Sequence, residues 1–157
     1  MTVLIIGESS MLSTELKRTL ELAGERVVII GRHTADIQID LDLKRLMGGS
    51  LLHDISDVYV CAASFADDSI DGISQNIEVN TNGASTLVRL FSEIQPKRVT
   101  FAGSISSNSS FDPSRSYSSY GLSKKLCEDI LSWWCGNNGV SFRSVRFSQL
   151  VDSQGYC

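Results

Sequence analysis

Residues 3–16, "VLIIGESSMLSTEL", change character at their middle. Val3 to Ile6 is an unbroken aliphatic run, and Gly7 ends it. A serine-rich turn follows, after which Leu12, Leu16, Leu20 and Ala23 recur at helical spacing until Gly24 stops the pattern. This reads as a strand buried on both faces, a tight turn and an amphipathic helix. In such a unit the helix N-terminus faces the strand's carboxyl end. Its unbonded N–H groups and the helix dipole make a ready phosphate site.

The alternation continues along the chain. "RVVIIG" is a second buried strand, "DIQID" (36–40) a short third, and "DLKRLMG" (42–48) a helix behind it. "DVYVCAAS" is a fourth strand, and the stretch from Asp71 to Ile94 is a helix ending before Pro96. "RVTFAGS" and "VSFRSVRF" are fifth and sixth strands. Between them runs a helix from Ser118 to Trp134, with Leu122, Leu126, Ile130 and Trp134 spaced to cover one face. Strands alternating with helices predict an α/β fold, a doubly wound parallel sheet with right-handed crossovers. Ligands of such sheets lie at the carboxyl ends of the strands, where strand order reverses. The serine-rich stretch before Tyr120 reads as a mobile loop, and no linker marks a second domain.

Composition narrows the function. The 157 residues suit one domain over 1–157, and 42% hydrophobic with 20% charged residues is ordinary for a globular chain. A net charge of -4, with fourteen scattered Lys and Arg, gives no reason to expect nucleic acid. No apolar run approaches the roughly 20 residues of a membrane span, and the N-terminus lacks a leader pattern. The four cysteines are widely spaced and only two histidines accompany them, so no metal site or disulfide framework is expected. Cys61 reads as a buried free thiol, and the expected compartment is the cytoplasm.

In the usual phosphate loop three glycines permit the turn, the approach of pyrophosphate and close helix packing. Here only Gly7 is present, with Ser10 and Ser13 at the next three-residue steps. Ser13 adds a small side chain against the sheet. The Ser10 Cβ takes up phosphate space, while its hydroxyl could donate to the phosphate instead.

Several stations, in order, make the chain resemble the extended short-chain dehydrogenase/reductases, the NAD(P)-dependent epimerase/dehydratase group. "GESSMLS" stands where that family has G-x-x-G-x-x-G, so the resemblance implies cofactor contacts from Gly7, Ser9, Ser10, Met11 and Leu12. "IDL" implies Asp40 and Leu41 near the adenine; "VCAAS" implies Ala62 and Ala63 along the cofactor. "EVNTNGASTLV" places Asn80 at the family's asparagine. "FAGS" places Ser104 at the catalytic serine, and "SYGLSKKLCEDIL" puts Tyr120, Lys124 and Glu128 in register with Y-G-x-S-K-x-x-x-E. The family continues past the sixth strand with a further strand and a C-terminal substrate-binding region, which is expected to be missing here.

Tyrosine and lysine four apart share a helix face. Bringing a phenol from pKa about 10 to neutrality needs about three units, or roughly 4 kcal/mol. An ammonium about 4 Å away supplies roughly that much at an effective dielectric near 20. The resemblance then implies that Tyr120 exchanges a proton with substrate, that Ser104 holds the reacting oxygen, and that Lys124 holds the nicotinamide ribose. Each has a plainer reading: a helix-start aromatic, a loop serine, a solvated lysine, a capping asparagine, a loop aspartate. At the end of the second strand Gly31 stands where NAD-specific sites carry an acid, and Arg32 follows, which favours NADP with NAD possible.

Two function classes remain open. One is an NAD(P)-dependent oxidoreductase, epimerase or dehydratase acting on a nucleotide sugar or a similar hydroxyl or carbonyl substrate. The other is a non-catalytic dinucleotide-binding module, or an inactive piece of a longer enzyme. The family's four-helix dimers imply a homodimer through Leu126, Ile130 and Trp133 or Trp134. Of the two tryptophans, one is expected in the core and the other partly exposed.

Overall fold

The computed structural model describes residues 2–33, 36–40, 45–47, 52, 54–108, 118–148 and 150. Leu41, Cys157 and the serine-rich stretch 109–117 lie outside the described residues. The elements are β1 (Thr2–Ile6), α1 (Met11–Leu22), β2 (Arg26–Gly31), β3 (Ile37–Asp40), β4 (Arg45–Met47) and β5 (Ile55–Val60). There follow α2 (Ile70–Asn76), a π-helical turn (Ile77–Asn82), α3 (Gly83–Ile94), β6 (Arg98–Ser104), a 3₁₀ turn (Ile105–Ser107), α4 (Ser119–Asn137) and β7 (Ser141–Phe147).

One seven-stranded sheet runs in the order β4-β3-β2-β1-β5-β6-β7. All neighbours pair in parallel except β4, which is antiparallel to β3. From β1 the chain steps outward to β2 and β3, then returns past β1 and steps the other way through β5, β6 and β7. Right-handed crossovers therefore put α1 on one face and α3 and α4 on the other. The reversal between β1 and β5 opens a crevice at their carboxyl ends.

The core lies under α3 and α4. Alternate strand residues Leu4, Ile6, Val28, Ile30, Val58, Val60, Val99 and Phe101 point to that face and meet Leu87, Leu90, Phe91, Leu131 and Trp134. Phe91 and Trp134 pack at 5.8 Å between ring centroids. Trp134 is thus the core tryptophan, and Trp133 is exposed.

Three sequence expectations are corrected. Arg45–Met47, within the expected helix 42–48, is an edge strand instead, registered Gln38 to Met47 and Asp40 to Arg45. The adjacent edge of β3 supplies these residues with backbone hydrogen bonds at once, without the cost of nucleating a helix. The helix expected from Asp71 to Ile94 is continuous but passes through a π turn at Ile77–Asn82, and it stops where Gln95 turns left-handed (φ 47°) before Pro96. Finally, α4 does not bury its leucine face. Leu122 and Leu126 are exposed, while Lys124, Cys127, Glu128, Leu131 and Trp134 are buried, so the helix is turned toward its polar side.

Candidate functional site

Gly7 has φ +113°, and a Cβ there would stand 2.6 Å from the Ala62 nitrogen. Its N–H donates to the Ile30 carbonyl at 2.8 Å, while the Cys61 and Ala62 N–H groups both donate to the Ile6 carbonyl. Only glycine lets the tip of β1 lie this low between β2 and β5. Above it opens a cleft of about 310 Å³. Of the residues predicted for the cofactor, the cleft brings together Gly7, Ser9, Ser10, Arg32, Ala62 and Ala63.

Ser10 is the N-cap of α1. Its hydroxyl accepts from the Ser13 N–H at 3.0 Å and lies 2.6 Å from the Ser13 hydroxyl, so it serves the helix rather than a phosphate. Ser13 is fully packed, as expected, near the Cys61 side chain. The Met11 and Leu12 N–H groups, in the first turn, have no intrahelical partners. The glycine turn, the helix start and the open cleft above them fit a diphosphate laid across α1. The Leu12 side chain goes elsewhere, into an apolar groove with Leu16, Tyr59, Phe101 and Val145. Cys61 walls both spaces and is only partly buried, because β5 ends at Val60. Asp40 ends β3.

Ser104 is the last residue of β6 and Tyr120 lies in the first turn of α4, whose N-cap Ser118 accepts from the Gly121 N–H at 3.1 Å. The Ser104 hydroxyl, which accepts from the Ser106 N–H at 3.1 Å, stands close enough to the Tyr120 phenol to influence its ionisation. Burial raises the phenol's pKa and the nearby Ser104 hydroxyl works the other way, leaving it above its ordinary value. The Tyr120 ring meets Phe65 edge-on, with centroids 4.6 Å apart.

Lys124 follows one turn on, but it turns down toward the sheet. It is 2% exposed, with its ammonium 4.1 Å above the Phe101 ring centroid. Burial lowers its pKa, against the pull of Cys127, Cys61 and Glu128. The expected depression of the Tyr120 phenol by Lys124 is therefore not found: the ammonium is held against Phe101, and burial controls the phenol. Glu128, next along the face, binds Arg146 of β7 through both carboxylate oxygens, at 2.8 and 3.3 Å.

Asn80 does not line the cleft. Buried in the π turn, it accepts from the Ser64 N–H (2.8 Å) and donates to the Ser64 carbonyl (2.9 Å) and the Ser123 hydroxyl (2.9 Å). Asn76, unnoticed in the sequence, repeats the pattern one turn earlier with Ala66 and Ser119. The pair fastens the loop after β5 to the N-terminus of α4, which sets Phe65 against Tyr120. Glu8, His33, Cys61 and Val79 are among the further residues that line the cleft and were not predicted as cofactor contacts. Among the described residues no group of three or more His, Cys, Asp or Glu could hold a metal ion.

The model of the NAD dependent epimerase/dehydratase family matches residues 3–152. No curated protein matches the sequence. Among solved structures, MoeE5 in complex with UDP-glucose and NAD superposes with a TM-score of 0.80 at 23% identity, covering 100% of this chain and 57% of that one. The UDP-glucose 4-epimerase of Thermus thermophilus, in complex with NAD, gives 0.73 at 20% identity, covering 93% and 54%. A short-chain dehydrogenase/reductase superfamily protein from Agrobacterium tumefaciens with bound NAD gives 0.75 at 19%, covering 95% and 49%. The chain thus spans about half the length of these proteins, which share its fold.

Proposed function

The chain belongs to the NAD dependent epimerase/dehydratase family, within the extended short-chain dehydrogenase/reductases, and from that premise we propose that it is the dinucleotide-binding and proton-transfer part of an NAD(P)-dependent oxidoreductase, epimerase or dehydratase. The observation that carries this reading is the placing of Ser104, at the carboxyl end of β6, beside Tyr120, in the first turn of α4, with Lys124 one turn behind it. Gly7, Ser9, Ser10, Met11 and Leu12 would hold the diphosphate by backbone N–H groups, with Ala62 and Ala63 along the cofactor and Arg32, Asp40 and Leu41 toward its adenosine end. A bound nicotinamide supplies the hydride acceptor or donor.

The chain's own residues then divide the proton work. Tyr120, above its ordinary pKa, is protonated at neutral pH and acts as proton donor to a substrate carbonyl. Its reverse role as base needs added positive charge nearby. Ser104 holds the same substrate oxygen as charge develops on it. Lys124 would hold a ribose hydroxyl, and Asn80 positions the loop and helix rather than touching substrate. MoeE5, seen in complex with UDP-glucose and NAD, and the UDP-glucose 4-epimerase of Thermus thermophilus support a nucleotide sugar as substrate. The exposed Leu122, Leu126 and Trp133 support a homodimer, and the family supports a cytoplasmic site of action.

Tyr120→Phe tests the reading: turnover should fall by about 10²-fold or more while dinucleotide affinity stays within about twofold. Loss of both together would make Tyr120 structural. A second reading is a binding module without turnover. Capping by Ser10 favours it, because the loop offers a phosphate one donor fewer. Tight binding of NAD(H) or NADP(H) by the chain, with no turnover of any sugar nucleotide, would select it. From Gly31 and Arg32 alone the cofactor would be NADP; Glu8 alters that balance.

A further inference from the structure

At the tip of β2 the Glu8 carboxylate, reaching across from the loop after β1, accepts from two backbone N–H groups through Oε1: Arg32 at 3.0 Å and His33 at 2.7 Å. Gly31 makes this possible. A Cβ at position 31 would stand 2.5 Å from the Glu8 Cδ and 2.6 Å from its Cβ and Cγ. An acidic side chain at 31 and the Glu8 side chain are therefore alternatives for one place. The acid absent from the end of β2 has not been lost from the site; it arrives from the neighbouring strand's loop.

We propose that Glu8 is the residue that selects the dinucleotide, favouring NAD over NADP. The inference rests on the reading of this cleft as a dinucleotide site. A ribose bound at the end of β2 presents either a 2′-hydroxyl, which donates to a carboxylate, or a 2′-phosphate, which a carboxylate repels. The two amides that could receive such a phosphate are also already engaged by Glu8. Arg32, exposed on the same tip, brings one positive charge to a place where Glu8 has put a negative one. Charge and occupancy both oppose the phosphate. The preference for NADP expected from Gly31 and Arg32 is reversed by a residue that a strand-end reading does not inspect.

Two variants separate the causes. Glu8→Gln keeps an oxygen for the two amides and removes the charge; Glu8→Ala removes both. Dissociation constants of NAD+ and NADP+ for the 157-residue chain, measured calorimetrically at low ionic strength, give the readout, with melting curves as a check on folding. The wild type should bind NAD+ at least about tenfold more tightly than NADP+, and both variants should lose about tenfold of that ratio, mainly through tighter NADP+ binding. A wild type that prefers NADP+, or a ratio unchanged in both variants, overturns the role of Glu8 while leaving the dinucleotide site standing. A wild type that binds neither dinucleotide removes the site and the selection together.

Discussion

Asn80 uses its carbonyl on the Ser64 N–H and its amide on the Ser64 carbonyl and the Ser123 hydroxyl, and Asn76 does the same one turn away with Ala66 and Ser119. Truncating Asn80 would leave the buried N–H and C=O of Ser64 unpaired, each costing about 1–3 kcal/mol. Asn80→Ala should therefore lower stability by about 3 kcal/mol, and Asn76→Ala by about 2 kcal/mol because its bonds are only partly buried. Chemical denaturation would show it; a loss below about 1 kcal/mol for Asn80 would mean that the loop finds other partners. Asn80 was legible from its motif, although its work was not. Asn76 was hidden because its meaning depends on Ser119, 43 residues away. Glu8 was hidden for the same reason: nothing local to "GESS" says that its side chain ends at β2.

At the level of elements, the strands were the easiest to read, since β1 and the end of β2 are aliphatic runs buried on both faces, while β5 and β6 carry buried apolar residues at alternate positions. Orientation of α4 was harder, because apolar side chains occur on two sides of it and periodicity alone cannot say which faces the sheet. What decides is close approach. A Cβ on Gly121 would lie 2.3 Å from the Ser106 carbonyl oxygen, so α4 docks here on the 3₁₀ turn that follows β6. That contact sets Tyr120 beside Ser104. Gly121→Ala should cost about 2 kcal/mol by overpacking, since backbone cannot yield as a side-chain end can. It should also reduce turnover by parting the two hydroxyls. Unchanged melting and activity would refute the docking. Glu128 fixes the far side of the same helix to β7, and Glu128→Ala should cost about 2 kcal/mol through lost charge-assisted bonds, measurable by denaturation.

Across the whole molecule, charge is buried at opposite ends of the sheet with opposite consequences. At the amino ends of β5 and β6, burial would raise the Asp57 carboxyl, but bonds from Arg98 and Ser56 outweigh it and hold the pKa below its ordinary 3.8. Folding is favoured by that pair above pH 4, and the benefit is lost as pH falls through the lowered value. Asp57→Asn should remove this acid dependence. At the carboxyl ends Lys124 is the reverse case. Burying an ammonium costs several kcal/mol, and its contact with Phe101 returns about 2 kcal/mol at most. Its lowered pKa means that the unfolded chain binds the extra proton between that value and 10.5, so stability rises with pH across this window. Lys124→Met, similar in shape and uncharged, should then stabilise the fold by about 1 kcal/mol at pH 7, with the advantage shrinking toward pH 10. Turnover should be lost in the same variant. Melting temperatures of both proteins from pH 6 to 10 decide the matter: curves that stay parallel, or a Lys124→Met protein less stable at pH 7, would show that the ammonium is at no cost where it lies.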